Sequence, residues 1–242
     1  MEFSDPDPRA RAVGHVPVQG PGITHVCFQA PDSRPIFPSF IEAGATTLSR
    51  SGDLVQLRPD VPVRYGYVRD GDGTMIEIEQ IMMDDLEFDH RMRHVAIAAV
   101  DLDRTVEFYT ALLGKEPRER RYDLVNVTLD QTVGIDGMRL DVAWFQAGNL
   151  ELELWEYYNP VPVPADEPRP LEAYGHNMIV FDVSNVEAVL TTLEEAGGAR
   201  AAAPAPMDDG VIAFGRDPDG NLLGFFEPDS PASVFDTEGL VY

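Results

Sequence analysis

One pattern recurs three times along this chain: an apolar strand, a helical stretch stopped by glycine, further strands, a tight turn and a last strand. The copies span residues 21–82, 91–158 and 174–228, the third after the proline-rich linker 159–173. Such internal similarity predicts equivalent units that stack and share a site. Residues 1–20 and 229–242 are polar, proline-bearing ends, expected as a flexible N-terminal arm and a loosely held C-terminal tail.

Each helix carries local signals. In the second copy Asp101 or Asp103 can cap the start, Val106, Tyr109, Leu112 and Leu113 form an apolar stripe, and Gly114 stops it. In the third, Val186, Val189, Leu190 and Leu193 precede Gly197. In the first, the run from Phe37 to Ala43 is short, bears Pro38 and ends at Gly44. The runs Asp70 to Gly73 and Asp217 to Gly220 are turn signals ahead of final strands.

Strand side chains alternate between faces. Ile76 and Ile78 therefore oppose Met75, Glu77 and Glu79. Likewise Leu150, Leu152 and Leu154 oppose Glu151, Glu153, Trp155 and Tyr157, and Val95 and Ile97 oppose His94, Ala96 and Ala98. Each of the first two copies thus has one apolar face, fit for its helix, and one face with a histidine from its first strand and a glutamate from its last. A lone strand histidine is usually structural, and alternating glutamates often mark a solvated face. Two pairs at matching places, His25 with Glu77 and His94 with Glu153, are harder to assign to coincidence. Together they make a four-ligand site for one divalent ion, whose charge would offset the repulsion of two facing carboxylates. In the third copy, the interval from His25 to Gly44 counted back from Gly197 lands on Met178. The interval from Gly73 to Glu77 counted on from Gly220 lands on Gly224. That copy is ligand-free unless His176, two residues before Met178, is a displaced ligand.

A formal net charge of −24, with Lys115 the single lysine, and no basic stripe argue against nucleic-acid binding. No apolar run reaches spanning length, so no membrane association is expected. The N-terminus lacks the features of a signal peptide. A single cysteine, Cys27, excludes an intrachain disulfide and fits a reducing, cytoplasmic setting.

The phrases Arg93 to Ile97, Asp101 to Gly114, Leu150 to Tyr157 and Asp217 to Gly224 resemble the vicinal oxygen chelate superfamily, which includes glyoxalase I, methylmalonyl-CoA epimerase, extradiol dioxygenases and bleomycin-resistance proteins. The resemblance covers nearly everything between residues 21 and 228. It implies an α+β fold of three βαβββ modules, forming curved mixed sheets with helices on the outer faces. Pairs of modules curl into a cup whose metal ligands come from first and last strands. Those positions are His25, Glu77, His94 and Glu153, with Met178 and Gly224 in the third module. An odd module departs from the family pattern. Chemistry favours pairing the first with the second, and module type favours the second with the third.

Three functions compete. The leading expectation is a metal-dependent lyase or isomerase. Its small-molecule substrate has vicinal oxygens, its metal is Fe, Zn, Mn, Ni or Co, and the resemblance makes Glu77 or Glu153 the base. An Fe(II) extradiol dioxygenase is the alternative, although two histidines and one carboxylate suffice there. A metal-free binding or resistance protein is the third, opposed by the full ligand set. Trp144, Phe145, Trp155 and Tyr157 are candidate pocket walls, and Arg69 or Arg139 a carboxylate anchor; no arginine cluster is evident near the ligands. The unpaired module leaves an exposed edge, so a homodimer is the expected assembly.

Overall fold

The computed structural model describes residues 10, 12–164, 166–231, 233 and 237. The first repeat comprises β1 (Gly22–Pro31), α1 (Phe37–Glu42), β2 (Thr46–Thr47), β3 (Val55–Gln56), β4 (Val63–Arg69) and β5 (Met75–Ile81). The second comprises β6 (Arg91–Ala99), α2 (Leu102–Leu113), β7 (Glu119–Val125), α3 (Val127–Val133), β8 (Arg139–Ala147) and β9 (Leu150–Asn159). The third comprises β10 (Met178–Asp182), α4 (Val186–Glu195), β11 (Ala199–Met207), β12 (Gly210–Arg216) and β13 (Leu222–Pro228). Mixed curved sheets with few helices make this an α+β fold.

In each repeat the first strand runs parallel to the last, and the remaining pairs are antiparallel. The first and second repeats join through antiparallel pairing of β1 with β6, giving one sheet of order β2-β4-β5-β1-β6-β9-β8-β7 with β3 paired to β4. The third repeat forms its own sheet, β10-β13-β12-β11.

Helix α2 starts where Asp101 accepts a hydrogen bond from the Arg104 amide and stops where Gly114 takes φ 65°. Its apolar side packs on Val95, Ile97, Leu152 and Leu154, the sheet face opposite the ligands. Helix α4, capped by Asn185, covers it from the other side through Leu190 and Leu193, so one core runs across the second and third repeats. Polar contacts reinforce that junction. Tyr109 donates to Asp217 at 3.1 Å, the Val100 amide donates to Asp219, and Arg104 pairs with Asp219.

Within the expected N-terminal arm, Val16 and Val18 are buried, and Val18 joins an apolar cluster with Tyr67, Ala98 and Leu140. Burial of two valines offsets the entropy that a polar tail would retain. Residues 1–9 and 11 of the arm, and most of 232–242, lie outside the described residues. Among the described residues no helix is long and apolar enough to cross a membrane.

Candidate metal centre

Antiparallel pairing of β1 with β6 would ordinarily keep strict alternation, but it is broken twice. Between Ile23 and His25 the extra residue is Thr24, and opposite Cys27 and Phe28 it is Arg93. Each bulge therefore sits immediately before a histidine, at matching places in the two repeats. Bulges re-aim side chains. Thr24 turns its hydroxyl to the Ala96 carbonyl at 3.4 Å and to His25 Nδ1 at 2.9 Å, which leaves His25 Nε2 directed into the cup.

The four ligand candidates meet on the concave face, all buried. His94 Nε2 lies 2.9 Å from Glu77 Oε2, 3.2 Å from Glu153 Oε2 and 3.4 Å from His25 Nε2. His25 Nε2 lies 3.3 Å from Glu77 Oε2 and 3.9 Å from Glu153 Oε2. Donor atoms about 2.1 Å from a shared ion at right angles lie about 3.0 Å apart, so these separations suit one cation among all four. The two histidine rings meet in a long hydrogen bond, but the histidine–carboxylate contacts lack hydrogen-bond angles, and both Oε2 atoms are buried without a hydrogen-bond donor. Buried carboxylate oxygens left so are costly unless a cation meets them. The residues present fit a divalent ion.

Electrostatics agree in direction. Burial alone would raise Glu77; His25 and His94 beside it overcome this and hold its carboxyl well below the usual carboxylate range. Burial would lower His94, but Glu153 and Glu77 push it up to about 9. The carboxylates beside it thus strengthen the hold of this histidine on its proton.

The cavity above these atoms has a volume of about 280 Å³. Leu57, Val61, Leu124 and Leu129 form apolar walls, and Trp144 and Trp155 line it as expected. Phe145 instead lies in the core against α2, and Tyr157 is buried against Trp155. Neither expected anchor reaches the cavity. Arg69 donates to the Gly73 carbonyl in a turn, and Arg139 pairs with Asp123 at the surface. Sequence reading also missed an arginine cluster: Arg58, Arg93, Arg118 and Arg121 all line the cup. Arg93 sits between Glu79 and Glu151, and Arg118 pairs with Glu151 at 2.5 Å. Alternation places Arg93 with Val95 on the apolar face; only the bulge brings it inward.

Helix α3, with Asn126 as its cap and Gly134 at φ 72°, also escaped the sequence pattern. It reaches across from the second repeat to the first, where the Arg50 amide donates to the Gln131 carbonyl, and its Leu129 and Thr132 close one side of the cup. His176 stands apart from the four ligands, with Nε2 2.9 Å from the Met75 carbonyl. In the third repeat Met178, Val180 and Gly224 share a face, a Cβ at Gly224 falling 3.6 Å from Met178 Sδ and 3.1 Å from Val180. The registers Cys27↔Glu77, Ala96↔Glu153 and Val180↔Gly224 match across the three repeats.

Comparison with known proteins follows the same lines. A probable lactoylglutathione lyase from Vibrio cholerae is 29% identical over 147 residues, covering 55% of this chain and 88% of that protein. Among solved structures, the V278E mutant of glyoxalase I from Zea mays superposes with a TM-score of 0.62 at 18% identity, covering 85% of this chain and 67% of that one. A glyoxalase family protein from Bacillus cereus gives 0.53 at 18% identity, covering 62% of this chain and all of that one. These structural likenesses are in fold. The sequence profile of the Glyoxalase/Bleomycin resistance protein/Dioxygenase superfamily matches residues 91–225, more than half of the chain, and the protein belongs to that superfamily.

Proposed function

We propose that the chain is a divalent-metal-dependent lyase or isomerase of the glyoxalase kind, acting on a small substrate with vicinal oxygens. The observation that carries this reading is the convergence of His25, His94, Glu77 and Glu153 on one point, with two carboxylate oxygens lacking any donor. The similarity to a probable lactoylglutathione lyase from Vibrio cholerae supports the lyase class.

His25, Glu77, His94 and Glu153 would hold the ion, and open positions remain for two substrate oxygens. When bound, the ion supplies Lewis acidity that lowers the barrier to removing a proton beside a carbonyl. The protein's own groups do the rest. A glutamate that swings away from the ligand set takes the proton from one carbon and returns it to its neighbour. The apolar walls limit water. Four arginines line the cup, each ion-paired with a carboxylate, and an anionic substrate group would exchange for one of those partners in a chain whose net charge is −24. A homodimer in a reducing compartment completes the proposal. Its grounds are that β10 has no strand on its outer side among the described residues, and that Cys27 is a buried free thiol.

The test is to load the purified protein with Mn, Fe, Co, Ni or Zn and screen hemithioacetals, 2-oxo acids and catechols anaerobically. Turnover without oxygen, abolished by chelator and restored by metal, is expected. Stoichiometric O2 consumption would replace the proton-transfer reading with ring cleavage by a dioxygenase.

A further inference from the structure

Opposite each last-strand ligand position, on the neighbouring antiparallel strand, stands an aromatic residue. The pairs are Tyr67 with Glu77, Trp144 with Glu153, and Phe214 with Gly224. The three aromatics differ in what they can donate. Phe214 has no polar atom and faces a glycine. Tyr67 places its ring edge-on against His25, centroids 5.0 Å apart. Trp144 donates its indole N–H to Glu153 Oε1 at 2.7 Å. Arg121 lies over the Trp144 ring, 5.4 Å from its centroid, and steadies it.

Glu153 is therefore divided between two tasks. Oε1 is tied to the indole, and Oε2 faces His94 and His25. Glu77 has no such tie. Among the described residues its partners within ion-pair distance are the two histidines; Cys27 and Glu79 lie within 4.8 Å but donate no hydrogen bond to it, and it too borders the cavity. A carboxylate with one oxygen fixed loses little further freedom on binding an ion and must break a charge-assisted hydrogen bond to leave. A carboxylate held only by the ligand set can withdraw when substrate oxygens arrive.

We propose that Trp144 is a positioning residue, whose indole N–H holds Glu153 as the permanent carboxylate ligand and so makes Glu77 the carboxylate that withdraws and takes the proton. This rests on the metal reading above and assigns unlike roles to two glutamates that the repeat makes look alike.

The test uses the full chain and Mn2+ alone, with affinity read by titration calorimetry. Trp144→Phe is expected to weaken Mn2+ binding on the order of tenfold, the range for one hydrogen bond to a charged group. In Glu153→Ala the indole has nothing to hold, so Trp144→Phe/Glu153→Ala should match Glu153→Ala. In Glu77→Ala the tenfold loss should persist. A packing role would weaken both backgrounds equally. If Trp144→Phe fails to fold, 3-benzothienylalanine at position 144 replaces the N–H by sulfur at nearly constant shape. A second readout is acetohydroxamate, a bidentate oxygen ligand, added to Co2+-saturated protein. Its affinity should rise in Glu77→Ala, where no carboxylate need leave, and not in Glu153→Ala. Equal losses in both backgrounds, or tighter hydroxamate binding in Glu153→Ala, overturn the assignment. A wild-type chain that binds no Mn2+, Co2+ or other divalent ion overturns the metal reading itself, which separates the two failures.

Discussion

Thr24 and Arg93 precede the two cup histidines, and the bulges at these residues decide which side chains face one another. His25→Ala and His94→Ala should each empty the metal site, measured by elemental analysis of untagged protein, because each removes one of four donors. His176→Ala should leave occupancy nearly intact, since its ring nitrogen is engaged by the Met75 carbonyl. Replacing Glu77 by Gln should retain most of the metal and slow turnover by a factor on the order of 100 or more, the scale of a lost general base. Replacing Glu153 by Gln should mainly weaken metal binding; like responses from the two variants would remove the asymmetry. The four candidate donors were legible in the sequence as residues of one shared face because alternation and repetition set their faces. Arg93 was not, because a bulge reverses alternation locally and leaves no mark in composition.

Helices α2 and α4 show how elements lock the third repeat to the second. Gly198, just after α4, has no room for a side chain: a Cβ would lie 2.6 Å from the Arg216 carbonyl and 2.9 Å from Phe108 of α2. Gly198→Ala should lower unfolding free energy by about 1–3 kcal/mol in denaturant titration, since the nearest clash is with backbone. Asp217 lies at the same junction. Burial, with a smaller contribution from nearby Asp219, pushes its carboxyl up to about 6 against the opposing hydrogen bonds from Asn221 and Tyr109. For an acid raised on folding, the native state keeps its proton after the unfolded state has lost it. Stability from this group is therefore greatest at low pH and falls as pH rises from about 4 to about 6, by about 3 kcal/mol. Asp217→Asn should flatten that segment of the pH–stability curve; an unchanged slope would place the titration elsewhere. The caps at Asp101 and Gly114 and the two Asp-Gly turns were readable locally, because each satisfies its own backbone. Helix α3 was not, because its seven residues depend on packing across the cup.

At the scale of the whole molecule, the superfamily match spans the second and third repeats, whereas the ligand candidates come from the first and second. The second repeat therefore serves two partners, pairing its strand β6 with β1 of the first and packing its helix α2 against the third. The outer strand β10 carries a half-exposed Val180, 47% accessible. If that edge pairs with its copy, light scattering should give a dimer at micromolar concentration and Val180→Lys should shift it toward monomer. A wild-type monomer throughout that range would count against the homodimer. Sequence alone determined the repeats, the helix stops, the apolar face of each sheet and the shared face of His25, Glu77, His94 and Glu153. These follow from periodicity and local backbone chemistry, which neighbouring residues settle among themselves. Tertiary structure alone decided that β1 pairs with β6, that four arginines enter the cup, that Trp144 reaches Glu153 and that the third repeat docks through its helix. Those outcomes depend on bulges and on contacts between residues distant in the chain, where packing and charge choose among arrangements that local signals leave equal.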